Sequence, residues 1–163
     1  MTQAFADRLA HLAAQESRLV FDSFDHAAAW RLGTLMVERA LREKAPIIID
    51  IRRPGVVLFR SALAGTTAEN EAWLERKART ALRFEASTAL VEARFTAQGI
   101  DVWTAPWFDT KLFAAVGGSC PLRVRGAGVV AAVTVSGLTS NEDHDHVVDA
   151  LDAYVQGGPP PPS

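Results

Sequence analysis

Asp143-His144-Asp145-His146 is the one place in this sequence where carboxylates and imidazoles crowd together, a few residues after the run Val135-Ser136-Gly137-Leu138. Such groups can ligate a metal or carry protons. Helical spacing speaks against a metal here, because only residues three or four apart share a helix face and His144 and His146 do not. Asp143 with His146, or Glu142 with His146, would share one, yet no further ligands stand at a recognised spacing, so no metal site is expected. Helix capping by Asp143 and a hydrogen-bonded His144 is the simpler role. Cys120 is the single cysteine. It excludes an internal disulfide, and beside Gly117-Gly118-Ser119 it is either a thiolate held by backbone N–H groups or, as is commoner, a small buried residue.

Anion binding is the second chemistry within reach. Lys77 stands between Trp73 and Phe84 on one helical stripe, with Asn70 one turn before the tryptophan. A lysine so placed is expected to lay its stem on the rings and keep its ammonium wet; the competing role is an anion-binding Lys77 assisted by Asn70 and Arg76. A helix that starts after Gly137 brings free N–H groups and partial positive charge, suited to a phosphate or carboxylate. The candidate site is therefore a cleft between the Gly117-Gly118-Ser119 turn and that helix mouth, with Gly137, Asp143 and His144 at the mouth and Asn70, Trp73 and Lys77 nearby. There is no G-x-S-x-G elbow, phosphate-binding P-loop or dinucleotide fingerprint to support a hydrolase, kinase or dehydrogenase.

The elements that must hold these residues follow from periodicity. Gln3 to Glu16 places Phe5, Leu9, Leu12 and Ala13 on one helical stripe, and Leu19-Val20-Phe21 reads as a short strand. Asp25 caps a helix over His26–Lys44 whose face is Ala29, Leu32, Met36 and Ala40; Gly33 inside it implies a close neighbour. Ile47–Ile51 and Val56–Phe59 flank Arg53-Pro54-Gly55 as a hairpin with an expected bulge, and Asp50 with Arg52 reads as a solvated pair. Thr66 and Glu69 have capping-box spacing for a helix to about Ala86, followed by a helix from Ser87 to Gln98 that Gly99 ends. Pro106 is expected to open a short helix through Phe113. Trp103, Trp107, Phe108 and Phe113 are read first as a subunit contact, with core lid and ligand wall as alternatives. Pro121–Arg125 and Val129–Val135 form a tight antiparallel pair around Gly126-Ala127-Gly128, the second strand central and buried on both faces. Ser140 or Asn141 caps the last helix, with Asp143 three residues after Ser140.

At 163 residues, 48% hydrophobic and 22% charged, the chain is long enough for one core, so residues 1–156 are read as one domain and 157–163 as a Pro-rich tail, mobile or polyproline II. A net charge of −2 and a pI near 6.1 give no reason to expect nucleic acid. Neither a secretory signal nor a membrane span is evident, which makes a cytoplasmic protein the expectation.

With these pieces in place, the sequence resembles the haem-degrading domain family, the HbpS and GlcG-like group, from about Leu19 to about Tyr154. The resemblance rests on Gly65-Thr66-Thr67 with Asn70, Trp73 and Lys77, on Gly117-Gly118-Ser119 with Pro121, and on Val135-Ser136-Gly137-Leu138 with Asp143-His144. It implies an α/β (α+β) profilin-like fold, an antiparallel sheet of about five strands with packed helices, assembled as a homo-oligomer. It also implies haem binding in the wider family, so the expected ligand of the cleft is a small carboxylate, a phosphate or a haem propionate. Axial candidates would be His144, His146, Met36 and Cys120. The likeness is to the group's branch of small bacterial and fungal cytosolic proteins in particular, and where that branch commonly has an aromatic before the proline, this chain has Cys120. The alternative to a ligand binder is an oligomeric interaction or scaffold protein without chemistry.

Overall fold

The computed structural model describes residues 2–157. The tail expectation for 158–163 lies outside them. In chain order the elements are α1 (Gln3–Arg18), β1 (Val20–Phe21), α2 (His26–Glu43), β2 (Ile48–Arg53), β3 (Val56–Ala62), α3 (Ala68–Phe84), α4 (Thr88–Ala97), β4 (Ser119–Val124), β5 (Gly128–Ser136) and α5 (Ser140–Gly157). The five strands form one sheet in the order β1-β4-β5-β2-β3. It is the mixed α/β profilin-like sheet with packed helices that the resemblance implied. All neighbours run antiparallel except the two-residue β1, which lies parallel to β4. The hairpin bulge falls between Ile51 and Arg52.

Strand periodicity sorts side chains onto two unlike faces. Ile47, Ile49 and Ile51, Cys120 and Leu122, and Ala131, Val133 and Val135 point to one side, where α2 and α5 cover them with Leu32, Met36, Val147 and Leu151. Gly33 lets α2 close on this layer, since a Cβ there would overlap the Phe59 ring. The opposite side carries Asp50, Arg52, Ser119, Thr134 and Ser136 and is roofed by α3. A second apolar cluster, away from the sheet, joins α1 and α4 to the 101–115 segment through Leu12, Leu90, Phe108 and Ala115.

Four local expectations are corrected. The α3 capping box is Thr67 with Asn70, one residue later than Thr66 with Glu69; the Thr66 hydroxyl instead donates to Leu63 O at 2.8 Å. The α5 box is Thr139 with Glu142, so neither Ser140 nor Asn141 is the cap. No helix forms over 106–113: turns replace it, with Asp109 taking the Lys111 N–H at 2.9 Å in a side-chain turn that competes with helix. Asp50 is not a solvated group but fully buried, as the α3 roof requires.

Candidate functional site

The Gly117-Gly118-Ser119 turn and the start of α5 meet at the C-terminal end of β5. Gly117 N–H donates to Ser140 Oγ at 2.7 Å, and Val135 N–H donates to the Gly118 carbonyl at 2.7 Å. Gly118 holds φ +129°, and a Cβ there would lie 2.7 Å from Lys77 Nζ and 2.9 Å from Asp143 Cβ. Gly137, at φ +146°, turns the chain so tightly that a Cβ would come within 3.1 Å of Ile47 Cα. Only glycine admits both approaches.

Between turn and helix lies an ion pair. Lys77 Nζ donates to Asp143 Oδ2 at 2.7 Å and to the Val135 carbonyl at 3.3 Å, while Asp143 Oδ1 accepts from Leu138 N–H at 3.0 Å. Both residues are sealed, Lys77 at 3% exposed and Asp143 at 1%. Burial pushes the Lys77 pKa down, against the pull of Asp143. The wet ammonium expected from the Trp73–Phe84 stripe is thus corrected, and Asp143 ties the Gly137-Leu138 corner rather than capping the helix. The cause is shared: α3 roofs the sheet so closely that Lys77 reaches across it.

The other candidates spread out. Ser119 Oγ lies 2.8 Å from Thr134 Oγ1, and its N–H donates to Thr88 Oγ1 at 3.1 Å. His144, buried, places Nε2 3.0 Å from Gln15 Oε1 and leaves Nδ1 without a partner among the described residues; burial lowers its pKa, against the pull of Asp145. His146 pairs with Glu43 at 3.2 Å on the far side of α5. Asn70 is occupied in the α3 capping box. Trp73 meets Trp103 edge-on with centroids 6.5 Å apart and carries the Arg76 guanidinium 3.9 Å over its ring; Arg76 also donates to the Thr110 carbonyl at 2.9 Å. Lys77, Asn70 and Arg76 therefore serve three separate contacts. Cys120 is 1% exposed and burial raises its thiol pKa strongly, so it is a packed thiol and not a thiolate.

Just outside the ion pair, the first turn of α5 borders a depression of about 430 Å³ lined by Arg8, Glu92, Thr96, Ser140, Asn141 and Phe5 among others. Arg8 donates to Asn141 Oδ1 at 3.0 Å. Burial raises the Glu92 pKa while Arg8 pulls it down. Sequence reasoning missed Arg8, Glu92, Thr96 and Gln15. Arg8 lies 133 residues from Asn141, a distance no local spacing reveals. Gln15 did leave a trace, a polar residue one turn beyond Leu12 on an apolar stripe.

Residues 24–152 match the family described as haem degrading protein HbpS-like. The chain belongs to that family. It is 46% identical over 154 residues to the UPF0303 protein SCO2848 of Streptomyces coelicolor, covering 94% of this chain and 98% of that protein. A UPF0303 protein of Streptomyces avermitilis is 46% identical over 144 residues, covering 88% of each. Among solved structures, the Ybr137w protein superposes with a TM-score of 0.83 at 31% identity, covering 91% of this chain and 88% of that one. A PduOC:Heme complex superposes at 0.69 with 18% identity over 81% of this chain and 95% of that one, a likeness of fold alone. The family match takes in Lys77, Gly117, Gly118, Asp143 and His144 and begins after α1, which supplies Arg8 and Gln15. No helix among the described residues is long and apolar enough to cross a membrane.

Proposed function

We propose that this HbpS-like protein is a homo-oligomeric binder of a small anionic ligand, seated at the first turn of α5. One observation carries it: the positive end of an 18-residue helix, with Arg8 beside Asn141 and Ser140, opens on a depression of small-molecule size. Lys77, Asp143, Gly117, Gly118, Ser119 and Gly137 then act as the frame that fixes the helix mouth, with His144 as its inner wall. Asn70 and Trp73 fix α3 and the 101–113 segment around that frame. Glu92 on the opposite wall favours an acid that also carries a hydroxyl or ammonium donor.

Haem is the other ligand the family offers, and the side chains of a single chain do not fit it. Cys120 is core, His144 faces Gln15, and Met36 and His146 border a depression of only about 210 Å³ that Arg39, Arg42 and Asp149 also line, where His146 faces Glu43, so none of these donors opens on an apolar cleft of haem size. The interaction reading has an observation of its own: Trp103 and Trp107 remain 57% and 48% exposed although Phe108 beside them is buried. These two rings supply the subunit contact in the proposal.

Thermal-shift and calorimetric titration with phosphate and a panel of short hydroxy- and amino-carboxylates tests the site. Binding is expected for at least one acid and is expected to weaken at least tenfold in Arg8→Ala, the loss of a charge-assisted contact of about 1.5–3 kcal/mol. A flat response across the panel sinks it. A Soret shift on haem titration that survives Arg8→Ala moves the ligand elsewhere. Light scattering reads the subunit number in the wild type and in Trp103→Ser with Trp107→Ser.

A further inference from the structure

The depression at the α5 mouth does not end at Glu92. Further along α4, towards its C-terminal end, lies a second one of about 340 Å³ that Glu92 and Thr96 also line. Gly99 shapes it: at φ +68° it ends α4 and turns the chain, so that Ile100 N–H donates to the Phe95 carbonyl at 2.9 Å and residues 100–103 face the end of the helix. Phe95, Ile100, Val102, Trp103 and Ala115 give it an apolar wall, and Trp103, a ring of the proposed subunit contact, stands exposed at the edge. Asp101 lies there too, but its carboxylate is already engaged by the Trp103 N–H at 3.0 Å and the Thr104 hydroxyl at 3.3 Å.

Glu92 is not engaged. It stands partly buried where the two depressions join, and its carboxylate accepts no hydrogen bond among the described residues; burial pushes its pKa up and only the charge of Arg8 opposes this. A carboxylate drawn out of water without a donor is a contact left open for a cation or an N–H group. Arg8, on the other wall, bonds only Asn141 among the described residues, which leaves most of its five guanidinium N–H groups for an anion. Three features therefore follow one another: a cation with unengaged donors, a carboxylate without a donor, and an apolar wall. Carboxylate, ammonium and apolar side chain meet these features in that order, and an α-amino acid carries all three on one carbon. From Glu92 to Gly99 the helix rises roughly 10 Å at about 1.5 Å per residue, which leaves room for a side chain of leucine or phenylalanine size and would leave the apolar half empty for alanine.

We propose that the ligand of this site is an α-amino acid with a large apolar side chain, its carboxylate at Arg8 and the first turn of α5, its ammonium on Glu92 and its side chain against Ile100 and Val102. The proposal rests on the anion reading of the α5 mouth given above and adds to it the ligand's class and the residue that selects it. Calorimetric titration of the full-length chain with alanine, leucine, phenylalanine and 3-phenylpropionate, beside the short acids already named, tests it. Leucine or phenylalanine is expected to bind at least tenfold tighter than alanine, as burial of the larger side chain requires. Glu92→Gln, nearly isosteric, is expected to weaken phenylalanine at least tenfold and 3-phenylpropionate, which has no ammonium, by much less; the second ligand also reports that the site is still folded. Ile100→Ser is expected to shrink the preference for phenylalanine over alanine severalfold. If short acids bind and neither leucine nor phenylalanine binds tighter than alanine, the proposal is overturned and the anion site stands. Equal losses for phenylalanine and 3-phenylpropionate in Glu92→Gln also overturn it, since Glu92 would then not be reading an ammonium. A flat response to every acid, short and long, removes the anion reading and the proposal together.

Discussion

The two faces of the sheet solve the same problem with different materials. On the α2–α5 side, β2 and β5 present only aliphatic residues, and the layer closes by shape: Gly33 against Phe59, Leu32 and Met36 against the isoleucines. On the α3 side the same two strands present Asp50, Arg52, Thr134 and Ser136, and the layer closes by charge. Asp50 accepts from Arg52 Nε at 2.6 Å and Arg60 Nε at 2.9 Å, and both arginines pass on to Glu75, Arg52 through two parallel bonds of 2.7 and 2.9 Å. Arg60 also pairs with Glu71. Further along the same face stands Lys77 with Asp143. A dry face tolerates imprecision, because any aliphatic of similar volume nearly fits. A charged face does not, because each partner left alone is a buried charge. That intolerance places the fixed geometry of the α5 mouth on the α3 side.

Breaking one partner on the charged face should have the largest effect. Lys77→Met leaves Asp143 buried with only the Leu138 N–H, and urea unfolding is expected to show a loss of about 3–5 kcal/mol. Adding Asp143→Leu should recover a good part of it, since the double variant buries no charge. A double variant no more stable than Lys77→Met would show that the pair is not what couples α3 to α5. On the dry face the comparison is sharpest on the strand that carries Asp50 itself: Ile49→Ala, one residue from Asp50 and fully buried, is expected to cost about 2–4 kcal/mol through lost packing. Its cost should be the same at every pH and salt concentration at which the protein folds.

The same contrast explains what the sequence revealed. Aliphatic stripes announce themselves, so Ala29, Leu32, Met36 and Ala40 marked the buried face of α2, and the Val129–Val135 run marked the central strand. The meeting of the Gly117–Ser119 turn with the α5 mouth was also legible, from glycines that only close approach requires. Partnerships between charges were not. Lys77 and Asp143 lie 66 residues apart, and nothing near Lys77 distinguishes a wet ammonium from a buried one. Asp50 was misjudged despite a usable sign, a lone acid inside Ile47-Ile48-Ile49-Asp50-Ile51, where burial of its neighbours implies burial of its face. The shift of the α3 cap from Thr66 to Thr67 is of a different kind, two adjacent threonines of equal capping power decided by the Leu63 carbonyl.

The smallest effect belongs to the rim of the charged face, and it separates the faces by pH. Hydrogen bonds from Arg52, opposed by partial burial and helped by Arg60, hold the Glu75 carboxyl down at about 2 from an ordinary 4.5. A carboxyl depressed in the folded state adds stability that is fully present above its unfolded value and disappears as pH falls through the folded one. The Glu75 contribution should therefore be complete above about pH 4.5 and gone near pH 2. Glu75→Gln is expected to lower stability modestly at pH 7, by less than Lys77→Met because Glu75 is partly exposed and screened by salt. It should also flatten the acid limb of the stability curve between those two values. Ile49→Ala should leave that limb parallel to wild type. If both variants kept the wild-type slope, the bidentate Arg52–Glu75 contact would be decorative, and α3 would be held to the sheet by Leu74, Ala78 and Ala81 alone.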